Sequence, residues 1–134
     1  DYNSNSNYID FNDDLETPSK VKSIYNFNNH VFAGLYGNGC YIKLLGDNTN
    51  NLVKLDGSNS FTVNDIYYDE INQVLLLSVG SGGVLVYNWD GLSSYPTFTS
   101  HIVSSHAYTA RTLNSKYIVI ATKYGVEIYN YENI

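Results

Sequence analysis

The sequence predicts an all-β chain built from three antiparallel units of about four strands, and three observations carry that prediction. A hairpin pattern recurs: HVFAGLYGNGCYIKLL begins at His30, QVLLLSVGSGGVLVYNW at Gln73 and KYIVIATKYGVEIYNY at Lys116, 43 residues apart both times. Each copy is two apolar or β-branched runs around a turn containing Gly, with Gly39, Gly83 and Gly125 opening the second run; such hairpin turns call for positive φ. Runs such as Val74, Leu75, Leu76 and Leu77 lack polar alternation, as strands covered on both faces do.

The elements follow in order. NYIDFND, at 7–13, reads as an orphan strand with no hairpin before it. Val21 to Tyr25 alternates with period two and opens the first unit, the hairpin from His30 supplies its second and third strands, and NNLVKLDG at 50–57 its fourth. Val63 to Tyr68, the hairpin from Gln73 and PTFTSHIV at 96–103 repeat that order. Ala107 to Thr112 and the hairpin from Lys116 begin a third unit that has no fourth strand before Ile134. The organisation is a segment 1–15 whose orphan strand is free to complete another unit, then units at 16–57, 58–103 and 104–134, the last lacking its outer strand.

A four-stranded antiparallel unit repeating every 42 to 44 residues resembles a β-propeller blade, and the resemblance covers nearly the whole chain from Tyr8 onward. The most similar repeats are WD repeats and the blades of bacterial, archaeal or viral surface propellers. Tyr87-Asn88 and Tyr129-Asn130 stand where a WD repeat has Trp-Asp, while Trp89-Asp90 falls two residues late. The Gly-His pair and turn Asp of true WD repeats are missing, as is the Asp-box Ser-x-Asp-x-Gly-x-Thr-Trp. Propellers close with about four to eight blades. The resemblance therefore implies an incomplete propeller: half of a six-bladed ring made by two copies, each orphan strand completing the other's last blade, or three blades of a longer polypeptide. The chain has no Met and begins at Asp1, which fits a removed leader and fits a piece of something longer.

Composition narrows the partners. A net charge of −6, from 13 acidic and 7 basic residues without a basic run, argues against nucleic acid. No apolar stretch approaches the roughly 20 residues of a membrane span, so no membrane insertion is expected. Cys40 is alone, which excludes an internal disulfide. Eighteen Asn come without one Asn-x-Ser/Thr site, so N-glycosylation is not expected. The Asn, Ser and Tyr content points to an extracellular, cell-surface or virion-surface protein; the lone Cys also fits the cytoplasm.

In a propeller the turns between second and third strands, and the connections between units, gather on one face around the channel, and binding residues concentrate on such loops. The candidate partner- or ligand-binding residues placed there are Tyr36, Asn38, Ser58 and Asn59, then Ser81, His106 and Tyr108, then Lys123 and Tyr124. Arg111, the only arginine, joins them from an inner strand directed at the channel. Tyr and Asn suit a contact surface, offering rigid area and adaptable hydrogen bonds; turn and strand preferences also place them there.

Catalytic and metal motifs are weak. His101 and His106 lack a third ligand, and neither Asp13, Asp14 and Glu16 nor GDNTNN at 46–51 has the spacing of a calcium loop. Asp65 and the Asp69-Glu70 pair fall at opposite ends of a strand, too far apart for paired carboxylates. GSGG at 80–83 precedes no helix, no Gly-x-Ser-x-Gly elbow is present, and Cys40 reads as a buried structural thiol. No cofactor, metal or catalytic residue is expected. The expected function is a non-enzymatic module that binds another protein or a second copy. A carbohydrate-binding lectin formed by self-association is the alternative, for which Trp89 has a counterpart in Tyr131 but only Leu45 in the first unit. A fragment of a propeller enzyme is the third, resting on Asp65, His106 and Arg111 near the channel. An open end would leave a sheet face uncovered, with Val74 to Val79 as the aggregation-prone stretch, so an isolated working monomer is not expected.

Overall fold

The computed structural model describes residues 20–46 and 52–130. All regular structure among them is β: β1 Val21–Phe27, β2 His30–Leu35, β3 Cys40–Leu44, β4 Val53–Lys54, β5 Asp65–Asp69, β6 Val74–Ser78, β7 Val84–Asn88, β8 Thr97–Ile102, β9 Ala107–Leu113, β10 Tyr117–Thr122 and β11 Gly125–Asn130. They form three antiparallel sheets whose strands neighbour one another in chain order: sheet I (β1 to β4), sheet II (β5 to β8) and sheet III (β9 to β11). The orphan strand expected at 7–13 lies outside the described residues, as does the end of the chain after Asn130. Of the stretch expected at 50–57, residues 50 and 51 lie outside the described residues and β4 takes two of the rest, with Gly57 (φ 79°) and Asn59 (φ 46°) turning the chain beyond it.

Two kinds of turn make the hairpins. Between β1 and β2, Asn28 and Asn29 both hold positive φ (47° and 62°), as do Asn114 and Ser115 (55° and 56°) between β9 and β10; two adjacent left-handed residues match the twist of the flanking strands, and Asn tolerates that conformation. The turns between second and third strands use glycine instead. Gly83 sits at φ 82°, and a Cβ there would run into the carbonyl oxygen of Ile102 on β8.

The sheets stack, and strand register shows how. In sheet I one cross-strand row is Tyr25, Phe32 and Ile42; in sheet II the corresponding row is Tyr67, Leu76 and Val86; in sheet III it is Arg111, Val119 and Ile128. These rows define a front face. Phe32 and Ile42 pack on sheet II with Tyr25 against them, while Leu76 and Val86 pack on sheet III with Tyr67 against them. The alternate rows form a rear face: Ile24, Ala33 and Tyr41; Ile66, Leu77 and Leu85; Ala110, Ile120 and Glu127. Ile66, Leu77 and Leu85 meet sheet I, and Ala110 and Ile120 meet sheet II.

Sheet II is thus covered on both faces, which is why β6 shows no polar alternation and is buried throughout. Each of Leu75, Leu76 and Leu77 contributes roughly 1.5–3 kcal/mol by leaving water. The expectation that Val74 to Val79 would be uncovered is corrected: Leu75 and Leu77 face sheet I, and Val74 and Leu76 face sheet III. Among the described residues an uncovered apolar face lies instead on sheet III, where Val126 and Ile128 are 69% and 62% exposed.

Trp89, set aside in the sequence as a WD-like dipeptide out of place, is the hub between sheets I and II. Its ring lies 4.8–5.9 Å, centroid to centroid, from Phe27, His30, Phe32 and Tyr68. Its Nε1–H donates to the Ser93 carbonyl at 2.9 Å, and the Tyr68 hydroxyl donates to the Trp89 carbonyl at 2.7 Å. His30 Nδ1 donates to the Asn28 carbonyl at 2.9 Å, leaving Nε2 buried without a partner against the indole.

Candidate functional site

Backbone hydrogen bonds draw the sequence-selected loops to one end of the stack. The Gly39 amide donates to Phe61 O at 2.8 Å, the Val63 amide to Leu35 O at 3.1 Å, and the Gly37 amide to Thr62 Oγ1 at 2.8 Å, lacing the β2–β3 turn to the connection between sheets I and II. Gly80 and Ala107 exchange amide bonds of 2.9 and 3.1 Å, and the Asn64 side-chain amide donates to Ala107 O at 2.9 Å. The Lys123 amide donates to His106 O at 3.0 Å. Tyr36, Asn38, Asn59, Ser81, His106, Tyr108, Lys123 and Tyr124 accordingly share this end.

Three of them carry exposed rings, each with a short-range partner. Tyr36, Tyr108 and Tyr124 are 49%, 47% and 76% exposed. Lys22 lies over Tyr36 at 5.2 Å, Lys123 over Tyr124 at 5.7 Å, and His106 packs edge-on against Tyr108 at 5.2 Å. Asn38 accepts from Lys54 Nζ at 3.2 Å. Ser58 does not join this surface: fully buried, its hydroxyl donates to Leu55 O at 2.7 Å and accepts from the Cys40 amide at 3.1 Å. Cys40 is buried beside it, and burial pushes its thiol pKa up, away from thiolate reactivity.

Arg111 sits elsewhere, where β9 faces β5. Its guanidinium donates to Asp65 Oδ2 at 2.6 Å and covers the Tyr67 ring at 4.7 Å, and Thr109 Oγ1 donates to the same carboxylate oxygen at 2.7 Å. This exposed pair ties sheet III to sheet II. His106 does not join it, being engaged with Tyr108 and Gly80 at the loop end. Asp69, at the far end of β5, closes its own turn: Oδ1 accepts from the amides of Ile71 and Asn72, and Oδ2 from the Asn72 and Thr112 side chains. His101 reaches the Gly82 carbonyl, and no group of three metal-ligating side chains occurs among the described residues. No helix there is long and apolar enough to cross a membrane.

The structure adds a site that the sequence reading missed. Under the β7–β8 loop an open groove of about 430 Å³ is lined by Asn72, Gln73, Asn88, Asp90, Tyr95 and Thr97, with Trp89 at its floor. Tyr95, 57% exposed, also borders a second groove of about 320 Å³ formed with Val53, Leu55 and Pro96. The Asp90 carboxylate is occupied by the amides of Leu92 and Ser93 and the Ser93 hydroxyl, which hold its pKa below the usual range. The side chains of Gln73, Asn88 and Tyr95 make no hydrogen bond among the described residues. The available signal was the stretch NWDGLSSYP at 88–96, an Asp-Gly turn flanked by aromatics.

No protein-family model matches the chain, and no curated protein matches it.

Proposed function

We propose that the chain is a non-enzymatic interaction module of the β-propeller type, binding another protein or packing in a larger assembly at a cell or virion surface. One observation carries the reading. Val126 and Ile128 stand 69% and 62% exposed on sheet III, whereas Val84 and Val86, at the same places in sheet II, are 0% and 6% exposed beneath a neighbouring sheet. An apolar sheet face of this kind calls for a covering surface. The three repeats supply such a face at one end, and the exposed tyrosines supply a second contact region at the loop end.

The test pairs light scattering on a size-exclusion column with binding of a hydrophobic-surface dye. The expected result is either an assembly larger than 15.1 kDa or a monomer that binds the dye, with the dye signal lost in the Val126→Lys/Ile128→Lys double variant. A dye-silent monomer overturns the reading.

Carbohydrate binding is the second reading, favoured by the groove at Tyr95. Two side-chain amides and a hydroxyl without internal partners, beside one exposed ring, suit a polyhydroxylated ligand that offers hydrogen bonds and a stacking face. Glycan-array binding that disappears in Tyr95→Ala is the expected outcome; an empty array, or binding indifferent to Tyr95, removes this reading.

A further inference from the structure

We infer that the front face of sheet III is covered by the rear face of sheet I from a second copy of this chain, stacked head to tail. The inference rests on the interaction-module reading and specifies its partner. Both internal junctions have one polarity: a front row of one sheet meets a rear row of the next. Tyr25, Phe32 and Ile42 meet the sheet II face of Ile66, Leu77 and Leu85; Tyr67, Leu76 and Val86 meet the sheet III face of Ala110 and Ile120.

Among the described residues one row of each kind is left over, at opposite ends of the stack. The unmatched front row is Arg111, Val119 and Ile128. The unmatched rear row is Ile24, Ala33 and Tyr41, with Ile24 69% exposed, Tyr41 partly exposed and the small Ala33 between them already buried. Val119 and Ile128 on one leftover row, and Ile24 and Tyr41 on the other, stand where the internal junctions bury apolar side chains, so the chain presents both halves of the junction it already makes twice.

Polarity also separates this arrangement from symmetric pairing. Packing two sheet III faces together would join front to front, a combination neither internal junction uses. Front-to-rear pairing is heterologous; it ends either in a closed ring, if the rotation between copies closes, or in a longer stack. Arg111 occupies in β9 the place that Tyr25 and Tyr67 hold in β1 and β5, and its guanidinium is engaged by Asp65 and Tyr67 of sheet II, which leaves Val119 and Ile128 as the apolar part of the row to be covered.

The test uses two single variants at exposed positions, Ile128→Lys for the front face and Ile24→Lys for the rear, with thermal melts confirming that both fold like the wild type. Wild type is expected to sediment as a multiple of 15.1 kDa, and each variant alone as a monomer. An equimolar mixture is expected to recover a two-chain species, because the rear face of the Ile128→Lys chain and the front face of the Ile24→Lys chain are both intact. If Ile128→Lys dissociates the assembly while Ile24→Lys does not, the front face docks something other than sheet I, and this inference falls while the module reading stands. A wild-type monomer that still binds the dye has the same meaning. Variants that each dissociate but show no recovery on mixing also overturn head-to-tail pairing.

Discussion

At the scale of single residues, the polar groups that hold the stack are those whose partners lie far away in sequence. Asp69 accepts four hydrogen bonds, one of them from Thr112 across the junction of sheets II and III at 2.6 Å. Burial opposes its ionisation, but the bonds from Thr112, Asn72 and Ile71 outweigh that cost and hold the carboxyl below its usual range. A carboxyl more acidic in the folded than in the unfolded chain adds stability that is fully present above the unfolded value of about 3.9, and that is lost as pH falls through the folded value. Asp69→Asn is therefore expected to cost about 1–3 kcal/mol at pH 7. The gap to wild type should narrow below about pH 4, read as urea midpoints from the fluorescence of the single tryptophan. A gap unchanged between pH 7 and pH 3 would show that the ionised form has no special role. The sequence placed Asp69 in a turn and put Asp65 away from it; in the structure Asp69 ends β5, four residues from Asp65, and its carboxylate closes the turn that follows. It gave no sign of Thr112, because nothing local to either residue specifies how two sheets stack. Ser58 illustrates the reverse error: its surroundings read as a surface loop, yet its hydroxyl bridges Leu55 and Cys40 in the interior.

At the scale of elements, strands were legible and the ends of strands were less so. The hairpins of β2–β3, β6–β7 and β10–β11 stand where the recurring Gly-bounded runs placed them, because apolar runs and glycine turns are local signals. The turns at Asn28-Asn29 and Asn114-Ser115 carry equal structural weight, but Asn is so frequent in this chain that its presence there does not mark a turn in the sequence. Glycine positions separate by what surrounds them. Gly37 (φ 66°) has open space where a Cβ would stand, so Gly37→Ala is expected to cost only the left-handed penalty of about 1–2 kcal/mol. Gly83 has a similar φ of 82°, but there the Cβ meets the Ile102 carbonyl and forces β8 away from β7. Gly83→Ala should lose at least about 2 kcal/mol more than Gly37→Ala, since ladder bonds are broken as well. Equal losses in paired thermal melts would mean that β8 shifts freely and contributes little to sheet II.

At the scale of the whole molecule, stability follows from the order of the sheets. Sheet II has two neighbours, and its strands β6 and β7 run through both apolar clusters; sheets I and III have one neighbour each among the described residues. Each stacked unit is stabilised mainly by its neighbours, so opening free energy should fall from the middle outward. The Arg111–Asp65 pair does not reverse that order, because an exposed ion pair contributes about 1 kcal/mol or less. Amide hydrogen exchange at low protein concentration is expected to be slowest at Leu75, Leu77, Leu85 and Tyr87, and fastest on β11. Raising the concentration should slow exchange on β11 and β1 and leave the sheet II amides unchanged, because head-to-tail contact covers the two end sheets and no others. Uniform protection across the three sheets would instead mean that the stack opens as one cooperative body. In that case the uncovered face of sheet III would be a property the fold sustains alone, and the pressure for a second copy to cover it would vanish.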